Sequence, residues 1–429
     1  MRTLVFNILI FFIFFKISYA VDINQSIKNT IESNPKVKIA VEKIKESKEL
    51  IIYAKGAKLP DVTSSISGTY ENADTTTTTS STTPETFTDA YKLTITQNIY
   101  DSGFNDLEIQ RSKILFDNEL INFKVTIQDL ILDAIEGYLS VIYYERSLEA
   151  NQKNFDSVLK VFDETKTRFE LGSATLYDLQ NAEASYEIAK TNLFAAQKLL
   201  DISKKSFTRL VGLKPFNLDD NIDFDDKIDI DVLIKDSLNN NLNIILLSNN
   251  IQNKEILYLK EKKSKKPTLD FTGIASYSNG SRMEQGTEST SGSLALTLTV
   301  PIFQKGQDNS EIRKYYSQIL QSEIELEDAK DDLQILISNT YKDYRISQSK
   351  MNSNLIVIES INTSLNILKE EYSIGTKSIT DIINEEEKLL NAKVSYLNSK
   401  RDFLLNYFKL KSYDGTLIKL FENYLPKVN

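Results

Sequence analysis

The sequence predicts a mostly α-helical chain made of two copies of one unit, each adding two strands of the kind that wall a transmembrane β-barrel. Three observations carry this expectation: an internal repeat, proline-free helical stretches of unusual length, and short segments where apolar and small polar residues alternate. The repeat is the strongest of the three. Thr96-Gln97-Asn98-Ile99-Tyr100-Asp101-Ser102-Gly103 aligns with Thr299-Val300-Pro301-Ile302-Phe303-Gln304-Lys305-Gly306 at an offset of 203. Phe169-Glu170-Leu171-Gly172 meets Tyr372-Ser373-Ile374-Gly375 at the same offset, and Asp178 meets Asp381. Asn34, Pro60 and Tyr70 match Asn241, Pro267 and Tyr277 at an offset of 207, so the four-residue difference falls in one loop.

Residues 1–20 read as a signal peptide: Met1-Arg2, an apolar core from Leu4 to Phe15, and Ser18-Tyr19-Ala20 as a small-residue cleavage site. An uncleaved anchor is the alternative, but the apolar run is shorter than the ~20 residues of a spanning helix. The first repeat is expected over 21–212. Helices over 23–33 and 36–58 are separated at Asn34-Pro35, where proline disfavours a helical preceding residue. Pro60 closes the second helix and a strand follows over about 61–72, with Val62, Ile66 and Tyr70 on one face and Thr63, Ser65, Ser67 and Thr69 on the other. A second strand over about 87–100 sets Phe87, Tyr91, Leu93, Ile95 and Ile99 against Thr88, Lys92, Thr94, Thr96 and Asn98. The Thr/Ser tract from Asp74 to Pro84 reads as an exposed hairpin loop.

Gly103 hands the chain to a long helical hairpin over about 103–211. No proline occurs before Phe169, which implies a rod of roughly 100 Å. Ile127, Leu130, Ile131, Ala134, Ile135, Tyr138 and Ile142 keep helical spacing on its first arm. On the return arm Leu179, Ala182, Tyr186, Ala189, Leu193, Ala196 and Leu200 form a coiled-coil seam. An acidic connector spans 213–231, read as solvated rather than calcium-binding because no EF-hand spacing is present. The second repeat, 232–429, is expected to carry strands over about 267–279 and 292–303 and a helical hairpin over about 306–412. Its return seam is broken only by Glu385. Alternating strands of this length match a barrel wall, and they also fit a soluble sandwich.

Composition narrows the function. Without residues 1–20 the formal charge moves from −9 to −11, since Arg2 and Lys16 are lost, and an acidic chain is a poor partner for nucleic acid. There is no Cys, His or Trp. Disulfides and a lipoprotein anchor are therefore excluded, the commonest general base is missing, and neither an enzyme nor a cofactor or metal site is expected.

The two glycine turns joining the long helices are the most specific local feature. Gly172 and Gly375 suit a left-handed helix end, and Thr175…Asp178 and Ser378…Asp381 each fit a capping box. From these turns outward the chain resembles the TolC-like outer membrane efflux proteins of Gram-negative bacteria. The resemblance is carried by Tyr372-Ser-Ile-Gly-Thr-Lys-Ser-Ile-Thr-Asp381, Leu389-Leu390-Asn391-Ala392-Lys393, Leu410-Lys411 and Gly415-Thr416-Leu417, with a first-repeat counterpart over 169–182.

What the resemblance implies is a homotrimeric α/β-barrel duct in the outer membrane, in contact with its lipid and reaching across the periplasm. Four strands are too few for a membrane barrel, which needs about eight, and three chains would supply twelve. The duct would serve a tripartite efflux pump or a type I secretion system, with a periplasmic adaptor (a membrane fusion protein) and an inner-membrane transporter of the RND, ABC or MFS class. The resemblance also implies a periplasmic gate in which Tyr372 and Lys377 reach Asp178 while Asp381 forms an acidic ring. Leu171, Gly172, Ser173, Ile374, Gly375 and Thr376 would take adaptor hairpins. Lys377, Tyr177 and Asn384 depart from the common pattern, and a lysine lacks the arginine fork, so a weaker closed mouth is expected. The competing reading is an exported soluble coiled-coil scaffold or adhesin without a channel.

Overall fold

Helix boundaries follow the capping residues that the sequence supplies. The computed structural model describes residues 21–72, 75–77, 80–82, 85–222, 227–282 and 285–426. The expected signal segment, Asp74 and Pro84 of the Thr/Ser tract, and Asp223, Asp225 and Asp226 of the connector lie outside the described residues. Helix α1 (Ile23–Ser33) starts on Asp22, and α2 (Pro35–Gly56) starts on Asn34 with proline in its first turn. The second copy repeats both devices in α5 (Ile230–Asn240), capped by Asp229, and α6 (Leu242–Ser264), capped by Asn241.

Six strands occur among the described residues: β1 (Asp61–Asn72), β2 (Thr75–Thr77), β3 (Ser80–Thr82), β4 (Glu85–Tyr100), β5 (Thr268–Arg282) and β6 (Gln285–Thr299). The main sheet is antiparallel in the order β1-β4-β5-β6, so the two repeats join at β4–β5 and the outer edges of β1 and β6 find no strand among the described residues of this chain. The Thr/Ser tract does more than loop: β2 and β3 pair within it. The last strand ends at Thr299, short of the expected 303. Pro301 has no amide to donate to the ladder, and it stops the strand despite the continuing apolar alternation.

In each copy the chain passes from strand to helix through two consecutive left-handed residues, Ser102-Gly103 and Lys305-Gly306. The helices that follow, α3 (Phe104–Glu170) and α7 (Gln307–Ser373), are both 67 residues long, or about 100 Å. They return as α4 (Leu176–Val211) and α8 (Ile379–Tyr413), and α9 (Thr416–Leu420) closes the chain end. The main core lies midway along the rods, where α1, α2, α5 and α6 wrap the apolar stretch of α3 against α8. Ile127, Leu130, Ile131 and Ile135 there are fully buried. Beside it the buried Tyr138 hydroxyl accepts the Asp219 amide at 2.8 Å, and its one proton is shared between the Val21 and Asp219 carbonyls, which ties α3 to the segment before α1 and to the connector. Burial pushes this phenol up to about 12.

Along the return arm α4 the seam is made by the small residues, whereas on α8 the large Ile382, Leu389 and Phe403 are buried together with Ala392 and Ser399. Ala182, Ala189 and Ala196 are buried while Leu179, Tyr186, Leu193 and Leu200 are half-buried, so large side chains of one arm close over small ones of the other.

Candidate functional site

The sheet and the hairpin tips, at opposite ends of the long helices, carry the functional features. On the sheet, strand pairing sorts side chains by face. One face shows cross-strand rows Tyr100–Leu269–Leu298, Val62–Ile95–Gly273–Leu294 and Ile66–Tyr91–Tyr277. Most of these side chains are open to the surroundings: Ile66 is 74% exposed and Leu294 80%. From Leu269 to Tyr277 the band spans about 27 Å along the strand, which matches the apolar belt of a membrane barrel. Tyrosines mark both margins, Tyr100 at one and the Tyr91–Tyr277 pair, 6.2 Å between ring centres, at the other. The opposite face is mostly hydroxyl, interrupted by residues such as Lys92, Asn98, Asp270 and Ile274; in the row Ser65–Lys92–Ser276–Ser291 the Ser276 and Ser291 hydroxyls meet at 2.7 Å. No helix among the described residues is long and apolar enough to cross a membrane.

The two tips share one local construction. At the first, Gly172 (φ +74°) lets the Ser173 amide reach back to the Arg168 carbonyl at 2.8 Å; at the second, Gly375 (φ +79°) lets the Thr376 amide reach the Glu371 carbonyl at 3.0 Å. Each next helix opens on a complete capping box. Asp178 accepts from the Thr175 amide and hydroxyl, and Asp381 from those of Ser378. The Ser378 backbone amide first, then its hydroxyl and the Lys377 charge, hold the Asp381 carboxyl below the usual carboxylate range. Leu171 (78% exposed) and Ile374 (74%) project beside the two glycines, so the six expected docking positions form two matching exposed corners.

The expected gate residues converge only in part. Tyr372 does not hydrogen-bond to Asp178 within one chain. It lies under Arg168, whose guanidinium carbon is 4.5 Å from the ring centre. Burial pushes the Tyr372 phenol up, with Arg168 opposing and the Glu164 and Asp178 carboxylates adding to the rise, which puts Asp178 within electrostatic reach. Lys377 is exposed and makes no ion pair with Asp178 among the described residues.

Two residues that sequence reasoning passed over join the hairpins here. One is Arg168. The other is Glu386, buried on α8, which receives the Ser157 hydroxyl from α3 at 2.5 Å and the Lys369 ammonium from α7 at 2.9 Å. Around them Val161, Leu365, Ile379, Ile382 and Ile383 make a separate apolar cluster, so both hairpins pack together just above the tips. Below Glu386 on the same helix face, burial and the nearby Lys153 charge push the Lys393 ammonium down, against the pull of Glu386 and Glu149. The repeat offset contained a signal for Glu386, since Glu183 occupies its place in the first copy.

Comparison with known proteins agrees with this architecture. The profile of the family described as "Outer membrane efflux protein" matches residues 26–213. The chain is 25% identical over 344 residues to outer membrane protein TolC of Escherichia coli K12, covering 76% of this chain and 69% of that protein. It is 21% identical over 348 residues to the alkaline protease secretion protein AprF of Pseudomonas aeruginosa, covering 74% and 70%. The crystal structure of the Campylobacter jejuni CmeC outer membrane channel superposes with a TM-score of 0.80 at 15% identity, covering 94% of this chain and 90% of that one.

Proposed function

We propose that the chain is a TolC-like channel of the Gram-negative outer membrane that extends into the periplasm, and that it forms the exit duct of a tripartite efflux pump or type I secretion system; the family match over residues 26–213 and the likeness to TolC, AprF and CmeC support this reading. The observation that carries this reading is the sheet. It has an exposed apolar band of membrane height, a reverse face rich in hydroxyls, and two strand edges that find no partner among the described residues of their own chain. In lipid an unpaired edge is untenable, because each orphaned backbone group costs several kcal/mol, so the sheet needs further copies to close. Three copies supply twelve strands, enough for a barrel with a lumen.

Transport through such a duct is passive. The energy comes from an inner-membrane transporter of the RND, ABC or MFS class, coupled through a periplasmic adaptor that docks at the corners made by Leu171-Gly172-Ser173 and Ile374-Gly375-Thr376. The tips form the gate, with Tyr372 and Lys377 engaging Asp178 and Asp381 ringing the mouth. The cation–π contact of Arg168 with Tyr372 and the packing of the partly buried Tyr372 against the cluster between the hairpins support that assignment.

The experiment is reconstitution. Protein purified in mild detergent is expected to have the mass of a trimer and to give a low conductance in planar bilayers, which Tyr372→Phe combined with Lys377→Ser raises. A monomeric mass, or salt-extractable protein in place of detergent-requiring protein, would support the soluble scaffold instead. Unchanged conductance in a correctly assembled double variant would remove these two residues from the gate.

A further inference from the structure

The second repeat builds a contact that the first repeat spells but does not make. Glu386 is 6% exposed and clasps three helices, through Ser157 of α3 and Lys369 of α7. At an offset of 203 the first repeat carries Glu183 on α4 for Glu386, Lys166 on α3 for Lys369, and the second carries Ser360 on α7 for Ser157. The offset is rigid in this region, because α3 and α7 begin 203 positions apart and so do α4 and α8. Yet Glu183, Lys166 and Ser360 are all exposed, and Glu183 and Lys166 form no ion pair among the described residues.

The cause is topological. Helix α8 packs along α3 of its own chain, whereas α4 has no comparable contact with α7. The face of α4 that corresponds to the buried stripe Ile379, Ile383 and Glu386 is therefore open, with Leu176, Gln180 and Glu183 exposed on it. Two halves related by duplication bury equivalent faces in equivalent ways when the partners are present, and here the missing partner is an α7.

We infer that Glu183 and Lys166 form, with Ser360 of a second copy of this chain, the clasp that each chain makes internally from Glu386, Lys369 and Ser157. The contact is head-to-tail, since one copy gives α4 and the next gives α7, and such contacts generate a ring when the rotation closes. This rests on the trimeric reading above and adds the residues that hold its helical wall: three clasps within chains alternate with three between them. The seam between copies is the more polar of the two, because Gln180 and Glu187 stand where Ile383 and Leu390 are buried within the chain. Its carboxylate and ammonium regain water when it parts, so this seam separates more readily than an apolar one.

The chain has no cysteine, so introduced thiols have no competitors. In the trimer in mild detergent, Glu183→Cys with Ser360→Cys is treated with a short bis-methanethiosulfonate linker. The expected product is a covalent ladder up to trimer on a denaturing gel, collapsed by reductant. Ser157→Cys with Glu386→Cys, the in-chain equivalent, is expected to take up the same linker with no change in chain number. Monomer alone from the first pair, in a sample that weighs as a trimer and whose in-chain control reacts, would overturn the inference. A native mass of one chain would overturn the trimeric reading and the clasp between copies with it. Glu183→Gln supplies a second measurement: it is expected to lower the temperature at which the trimer dissociates, and no change there contradicts the clasp.

Discussion

The two hairpin tips are built from one local code and have different surroundings. Both turn on a left-handed glycine, both project an apolar side chain beside it, and both restart on a hydroxyl-to-aspartate capping box. At the first tip the new helix begins in the open, with Leu176 57% and Tyr177 67% exposed. At the second, Ile379, Ile382 and Ile383 are buried within a few per cent. The turn is thus set by a handful of residues that repeat, while the packing partner is set by the apolar residues after the cap. A duplicated motif conserves its shape more readily than its environment.

The largest test of that contrast pairs the first helical residue of each tip. Ile379→Ala removes a buried side chain from the cluster joining both hairpins, and about 2–5 kcal/mol of local stability should go with it. Amide exchange in the first turns of α8 is expected to accelerate accordingly. Leu176→Ala, at the equivalent place, should leave the exchange of its own hairpin within about 0.5 kcal/mol of wild type and act on subunit association instead. Equal acceleration at both tips would mean that the exposure difference has no energetic content.

Much of this contrast was legible in the residues. The capping boxes, the glycine turns and the face of each strand follow from local rules that need no partner. Glu385 was readable as a break in the apolar seam because it sits on the seam, where it stays only partly exposed. Glu386 was marked only by its repeat partner Glu183, and its burial was not readable, since that depends on α3 lying across α8, a contact between residues 229 positions apart. The Arg168–Tyr372 contact was hidden for the same reason: each residue looks like an ordinary surface position on its own helix. The end of β6 was a conflict between two local rules. Alternation argued for extension and Pro301 against it, and the missing donor prevailed.

A second test takes the residue that breaks the symmetry between the tips. Arg168 corresponds by offset to Glu371, so only one tip has a cation to place over an aromatic ring. Arg168→Gln should loosen the second tip by about 0.5–1 kcal/mol, the range of a partly exposed cation–π contact. Raised bilayer conductance and faster exchange near Tyr372 would report it. Glu371→Gln serves as the matched control and is expected to move neither. An effect of equal size from both would trace the loosening to lost surface charge rather than to the ring contact.

The smallest effect separates two roles for Asp381. As a cap its carboxylate accepts from the Ser378 amide and hydroxyl, and these donors hold its pKa low. A group whose folded-state pKa is depressed supports the fold above its unfolded pKa, and that support is lost as pH falls through the folded value. A spin label on a cysteine placed at exposed Glu387 should therefore become more mobile only below the ordinary carboxylate range. Asp381→Asn keeps a hydrogen-bonding side chain at the cap, so the variant should assemble normally and lose that acid-induced step. As a pore residue, Asp381 acts through charge alone. In the proposed trimer, three copies around a narrow opening would add their fields, and the helix N-terminus behind each would favour the ionised form. The same variant should then lose cation preference and sensitivity to block by trivalent cations from the periplasmic side. If the acid step disappears while selectivity and block persist, Asp381 is a cap and the mouth takes its charge from elsewhere.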